Sequence, residues 1–68
     1  MVNKNYKKVY DKAKELGFEV GYVRNYNGFL RLSIHYNEYR WNISNFDENG
    51  LIEQIEHIYN NEKMFNNN

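Results

Sequence analysis

Asn27-Gly28, set between two runs rich in apolar and aromatic residues, constrains this chain more than any other feature. A two-residue connection between twisted strands needs positive φ at both central positions, and Asn followed by Gly takes up that geometry with the least strain. A β-hairpin is therefore expected here, and the rest of the sheet can be counted from it. From Phe29 the chain alternates, with Leu30, Leu32, Ile34 and Tyr36 on one side and Phe29, Arg31, Ser33 and His35 on the other. The first set is the expected core face. A second two-residue turn at Asn37-Glu38 opposes Tyr36 to Tyr39, Ile34 to Trp41 and Leu32 to Ile43, which puts the bulky residues of the third strand, Trp41 included, on that same face. Glu38 is a poor residue for positive φ, so the type of this turn stays open.

The first strand, Phe18 to Tyr26, shares the apolar face only if one extra residue intervenes, because Phe18 and Val20 are out of phase with Val23. A bulge at Gly21-Tyr22 supplies it, opposing Val23 to Leu32, Val20 to Ile34 and Phe18 to Tyr36. Ahead of the sheet, Tyr6, Val9, Tyr10, Ala13 and Leu16 fall at helical spacing, giving an amphipathic helix over about 4 to 16, with Asn3 or Asn5 as its cap and Gly17 as its stop. After the sheet, Asp47 is the expected cap of a second helix, and Phe46 is expected to staple onto Leu51. Leu51, Ile52, Ile55, Ile58 and Tyr59 form its stripe, and Asn60-Asn61 its end. The expected fold is α+β, helix, three-stranded antiparallel meander, helix (αβββα), with both helices on one face of the sheet. Residues 1–65 form the expected single compact domain, with Met64 and Phe65 adding a last contact, and 66–68 an Asn tail with nothing to bury.

Size limits what such a domain does. With 68 residues it buries only about 60% of the surface its unfolded chain exposes, which leaves little room for a deep pocket. The absence of cysteine excludes disulfide staples and thiolate chemistry, and cytoplasm is the expected compartment. No apolar run approaches the roughly 20 residues that span a bilayer, and the start, Met1 to Asn5, lacks the apolar stretch of a signal peptide, so no membrane partner is expected. Zero formal net charge conceals a division. Residues 1–45 carry eight basic and four acidic groups, whereas 46–68 carry five acidic groups against Lys63 alone.

Two helices cover one face of a meander, and the other face is left to solvent. By alternation that face displays Tyr22, Arg24, Tyr26, Phe29, Arg31, Ser33, His35, Arg40 and Asn42, with Arg24 opposite Arg31 and His35 opposite Arg40. Like charges across a ladder are destabilising, so a face that tolerates them suits an anionic partner. The plainer reading is that exposed arginines keep the sheet from aggregating and drape their stems over neighbouring rings. Tyr22, Arg24, Tyr26, Phe29, Arg31, His35 and Arg40 are the candidate partner-binding residues. The acidic second helix, with Glu48, Glu53, Glu56 and Glu62, reads as a solvated surface, and Lys7 with Asp11 as an ordinary helix ion pair. Glu53 and His57 are four apart but lack a third ligand, so no metal or other cofactor is expected. Ser33 and Ser44 lie in no nucleophile elbow or phosphate loop, and no catalytic residues are assigned.

In topology and length the chain resembles the double-stranded RNA-binding domain. That family opens its second helix with a lysine-rich segment that grips phosphate, and here the segment is Asp47-Glu48-Asn49-Gly50-Leu51-Ile52-Glu53, so RNA-duplex binding does not carry over. The arginine-bearing sheet is similar to the three-stranded sheets that plant AP2-type domains and integrase arm domains insert into DNA. In size, single-domain build and the residue usage of AT-rich genomes, with 13 Asn and 7 Tyr, it resembles the small inhibitors of host defence encoded by phages and mobile elements, of the anti-CRISPR type. That resemblance implies a non-catalytic inhibitor that binds a host protein, such as a CRISPR nuclease, through the aromatic and arginine face. Nucleic-acid binding through the same face is the alternative, and a homodimer or larger homo-oligomer through the open sheet is a third reading.

Overall fold

In the computed structural model, which describes residues 6–62, φ is 56° at Asn27 and 93° at Gly28, the two positive values of a type I′ turn. The turn joins β2 (Arg24–Tyr26) to β3 (Phe29–Tyr36), and a second turn joins β3 to β4 (Tyr39–Asn45). In that second turn only Asn37 has positive φ, at 56°, which is the sign pattern of type II′ and spares Glu38. The fold is α+β, two helices and a four-stranded antiparallel sheet with β3 at its centre. β4 pairs along one side of β3, with Leu32 opposite Ile43, Ile34 opposite Trp41 and Tyr36 opposite Tyr39.

Along the other side, the single first strand read from the sequence is two short ones, β1 (Glu19–Val20) and β2, so the sheet has four strands rather than three. Val20 pairs with Ile34 and Arg24 with Arg31, so four steps on this edge span three on β3. That is the one extra residue the phase required, but the ladder is interrupted from Gly21 to Val23 rather than at Gly21-Tyr22 alone. The freed amides find other acceptors. Gly21 N–H donates to the Ser33 carbonyl at 3.1 Å, and Val23 N–H donates to the Tyr10 hydroxyl at 3.2 Å. Gly21 itself lies outside the left-handed region, and an added Cβ would meet only the Ser33 carbonyl at 3.9 Å, so the bulge does not depend on glycine.

Tyr10 belongs to α1 (Lys7–Glu15), and its phenol is what anchors the interrupted edge to the helix layer. Tyr10→Phe keeps the ring but strands a part-buried donor, which costs about 1–3 kcal/mol. The expected result is a lower denaturant midpoint with an unchanged m-value.

α1 is shorter than the expected 4–16. Tyr6 stands at its N-cap with no side-chain cap bond, and the caps read at Asn3 and Asn5 lie outside the described residues. Its C-terminus closes as a Schellman motif, with Gly17 N–H on the Lys14 carbonyl and Phe18 N–H on the Ala13 carbonyl, and Gly17 at φ 96°. α2 (Glu48–Asn61) starts at Asp47, whose carboxylate accepts from Gly50 N–H at 2.6 Å. The contacts read at Met64 and Phe65, and the tail at 66–68, lie outside the described residues.

Val9 and Ala13 of α1 and Leu51 and Ile55 of α2 join Leu30, Leu32 and Ile34 of β3, Ile43 of β4, Phe18 and Val23 in one buried cluster. The β3 members are its alternate residues, so the helices meet one face of the strand. Trp41 is only half-buried, a correction to its reading as core. It lies at the rim, edge-on to Phe18 at 5.6 Å and stacked on Tyr39 at 6.2 Å. Lys12 Nζ bridges the helices, 3.4 Å from Glu15 and 3.5 Å from Glu56. The Glu15 carboxylate raises its pKa above 10.5, with partial desolvation opposing and Glu56 adding a lesser raise. This contribution is complete below pH 10.5 and fades as pH climbs through the raised value.

Candidate functional site

The face of the sheet away from the helices is a grid whose rows follow from the two registers. Tyr26 lies opposite Phe29 at one end, Arg24 opposite Arg31 and Arg31 opposite Ser44 in the next row, and Ser33 opposite Asn42 in the third. The last row runs Glu19, His35, Arg40. Tyr22, carried on the interrupted segment, lines the same groove as Ser33 and Asn42 of the third row. All seven candidate residues are thus on this face, with Tyr22, Arg24, Tyr26, Arg31 and Arg40 exposed and Phe29 and His35 half-buried.

Three members of the face were not read from the sequence, of which Ser44 enters it by its register with Arg31. Phe46, read as a staple onto Leu51, is 74% exposed, and its ring meets Phe29 edge-on at 5.0 Å while Leu51 is fully buried. The β3–β4 register explains it. One step beyond the Leu30–Asn45 pair, the alternation carries residue 46 to the face of Phe29, and strand geometry overrides the local helix-start rule. Glu19 is the third. Its pairing with His35 places a carboxylate in the Arg40 row, and the signal for it was the same alternation counted one strand further.

A groove of about 410 Å³ runs across the middle rows, walled by Tyr22, Arg24, Tyr26, Arg31, Ser33 and Asn42. Ser33 Oγ donates to Asn42 Oδ1 at 2.7 Å, which fixes the amide in the floor. The Arg31 guanidinium lies 6.0 Å from the Tyr26 ring centre, the outer limit of a cation–π contact. Among the described residues none of Arg24, Arg31 and Arg40 has a carboxylate partner, since the ion pairs recorded all involve Lys7 and Lys12. The face therefore offers guanidinium groups without a carboxylate partner among the described residues, set beside large rings.

On the helix side, Glu53 and His57 line a separate groove along α2, and among the described residues no three His, Asp or Glu side chains are grouped closely enough to hold a metal ion. Lys7 pairs with Asp11 at 2.7 Å on the solvent side of α1. Among the described residues no helix is long and apolar enough to cross a membrane. No protein-family model, no curated protein and no solved structure matches this chain.

Proposed function

We propose that this chain is a small non-catalytic binding protein that docks on an acidic protein surface through its open sheet face, acting as an inhibitor of a host protein such as a CRISPR nuclease. One observation carries the docking reading. Three arginines with no carboxylate partner among the described residues share a face with Tyr22 and Phe46, 82% and 74% exposed. Leaving rings of that size in water forgoes burial that a partner restores, and aromatic residues and arginine dominate the energetic centres of protein interfaces. The inhibitor role rests on the class resemblance in size and build, and the bacterial cytoplasm is the setting it implies.

The same groups suit a nucleic-acid strand, with guanidinium on phosphate and rings on bases, and that is the runner-up. Salt separates the two. Titrating the chain with labelled single- and double-stranded DNA and RNA at 50 and 200 mM salt is expected to give no specific complex, whereas a complex whose affinity falls steeply with salt replaces the protein-docking reading. Affinity capture is expected to retain a host protein on the wild-type chain that Arg24→Glu/Arg31→Glu loses, and equal capture by both sinks the assignment to this face. A monomer by light scattering is the expected state, and a dimer broken by the same double substitution favours self-association through the sheet.

A further inference from the structure

We infer that the free edge of β4 and the groove beside it form a second docking site, which takes an extended peptide from a partner protein as a fifth strand. The two edges of this sheet are treated differently. The β1–β2 edge is short, interrupted, and tied to α1 by the Tyr10 hydroxyl and by Asn25 Nδ2 donating to the Tyr6 hydroxyl at 3.1 Å, features that discourage added strands. β4 runs seven residues in unbroken register with neither proline nor lysine. Because the turn closes on Tyr36 and Tyr39, the backbone groups of Tyr39, Trp41, Ile43 and Asn45 point to β3, and those of Arg40, Asn42 and Ser44 point away. Among the described residues the bond that reaches these outward groups is from Gln54 Nε2 to the Ser44 carbonyl, at 2.6 Å.

That bond also shows that α2 overhangs this edge. Between the two lies a groove of about 440 Å³, with Ile43 and Ile58 as apolar floor and Glu53 and His57 on the helix side. A strand added to β4 turns alternate side chains into this groove and the others toward Arg40 and Asn42. Charge selects the occupant. Glu53 has no cationic partner among the described residues, and α2 carries Glu48, Glu53 and Glu56 with no Lys or Arg, so the groove side favours aliphatic and basic residues. Arg40 favours acidic residues on the other side. A second copy of this chain fits worse, because pairing β4 with β4 brings two acidic α2 helices together.

Hydrogen exchange by NMR on the full chain tests this, with a synthetic seven-residue peptide that alternates valine or lysine on one side with glutamate on the other. The Arg40, Asn42 and Ser44 amides are expected to exchange freely in the chain alone and at least tenfold more slowly with peptide at saturation. Glu53→Lys, at an exposed position, is expected to keep the fold and weaken the peptide about tenfold. The same peptide N-methylated at the amides facing β4 is expected to give no protection. Protection of the three amides in the chain alone, whether from its own segments or a second copy, overturns the inference. So does equal binding by the N-methylated peptide, an unaltered affinity in Glu53→Lys, or no protection at millimolar peptide.

Discussion

Ile34→Ala is expected to cost this chain more stability than any exposed substitution, about 2–5 kcal/mol at 25 °C. Ile34 is fully buried at the middle of the central strand, in the one cluster to which both helices contribute. Truncating such a side chain costs about 2–5 kcal/mol, from lost transfer energy plus the cavity left behind. A chain of this length has a total stability of roughly 3–10 kcal/mol at the usual 0.05–0.15 kcal/mol per residue. The substitution therefore removes a large part of it, and a denaturant titration followed by far-UV circular dichroism reads the loss directly. Tyr22→Ala, at a position 82% exposed, is expected to leave the midpoint unchanged. A loss below about 1 kcal/mol in Ile34→Ala contradicts the placement of the helices over this face. Trp41→Ala is expected to fall between the two, since the indole packs on Phe18 but sits at the rim.

Charge reversal at Arg24 separates stability from docking. Arg24 faces Arg31 across the ladder, a like-charge pair that destabilises the free protein. Arg24→Glu turns it into an opposite-charge pair and is expected to raise stability by roughly 0.2–1 kcal/mol, while removing one anchor from the face. Arg24→Glu/Arg31→Glu restores the repulsion with the sign changed, so its stability is expected to match the wild type. Residues at the energetic centre of an interface contribute about 2 kcal/mol or more each, so the double variant is expected to bind the captured partner at least a hundredfold more weakly. Calorimetric melting and a binding titration on the same samples check both halves. A stabilised single variant that binds undiminished removes the sheet face from the mechanism.

Alternation made most of this sheet legible. Leu30, Leu32 and Ile34 against Phe29, Arg31 and Ser33 leave only one register that buries an apolar face, and Asn27-Gly28 fixed where to start counting. The interrupted edge was half legible. The phase break between Val20 and Val23 demanded an extra residue, but the length of ladder lost depended on Tyr10, thirteen residues away, offering its hydroxyl to Val23. Phe46 was misplaced because two local rules disagree there, the strand's alternation and the helix-start staple, and only the extent of β4 decides between them. The groove beside β4 was invisible, because Ile43 and Ile58 read as core from their periodicity, and nothing in a sequence says how far a helix sits from a strand edge. What the exposed face binds was not legible either, since guanidinium groups and rings serve protein and nucleic acid alike.

Three strand lines make the open face narrow, and adjoining strands rotate by about 20–25°. From the Arg24 side to the Arg40 side the direction of the side-chain columns therefore turns through roughly 40–50°. A sheet with that twist presents a saddle, not a plane. A flat wall rests on it along one diagonal and leaves two corners in water, whereas a ridge laid along that diagonal crosses every row, so curvature filters partners before charge does.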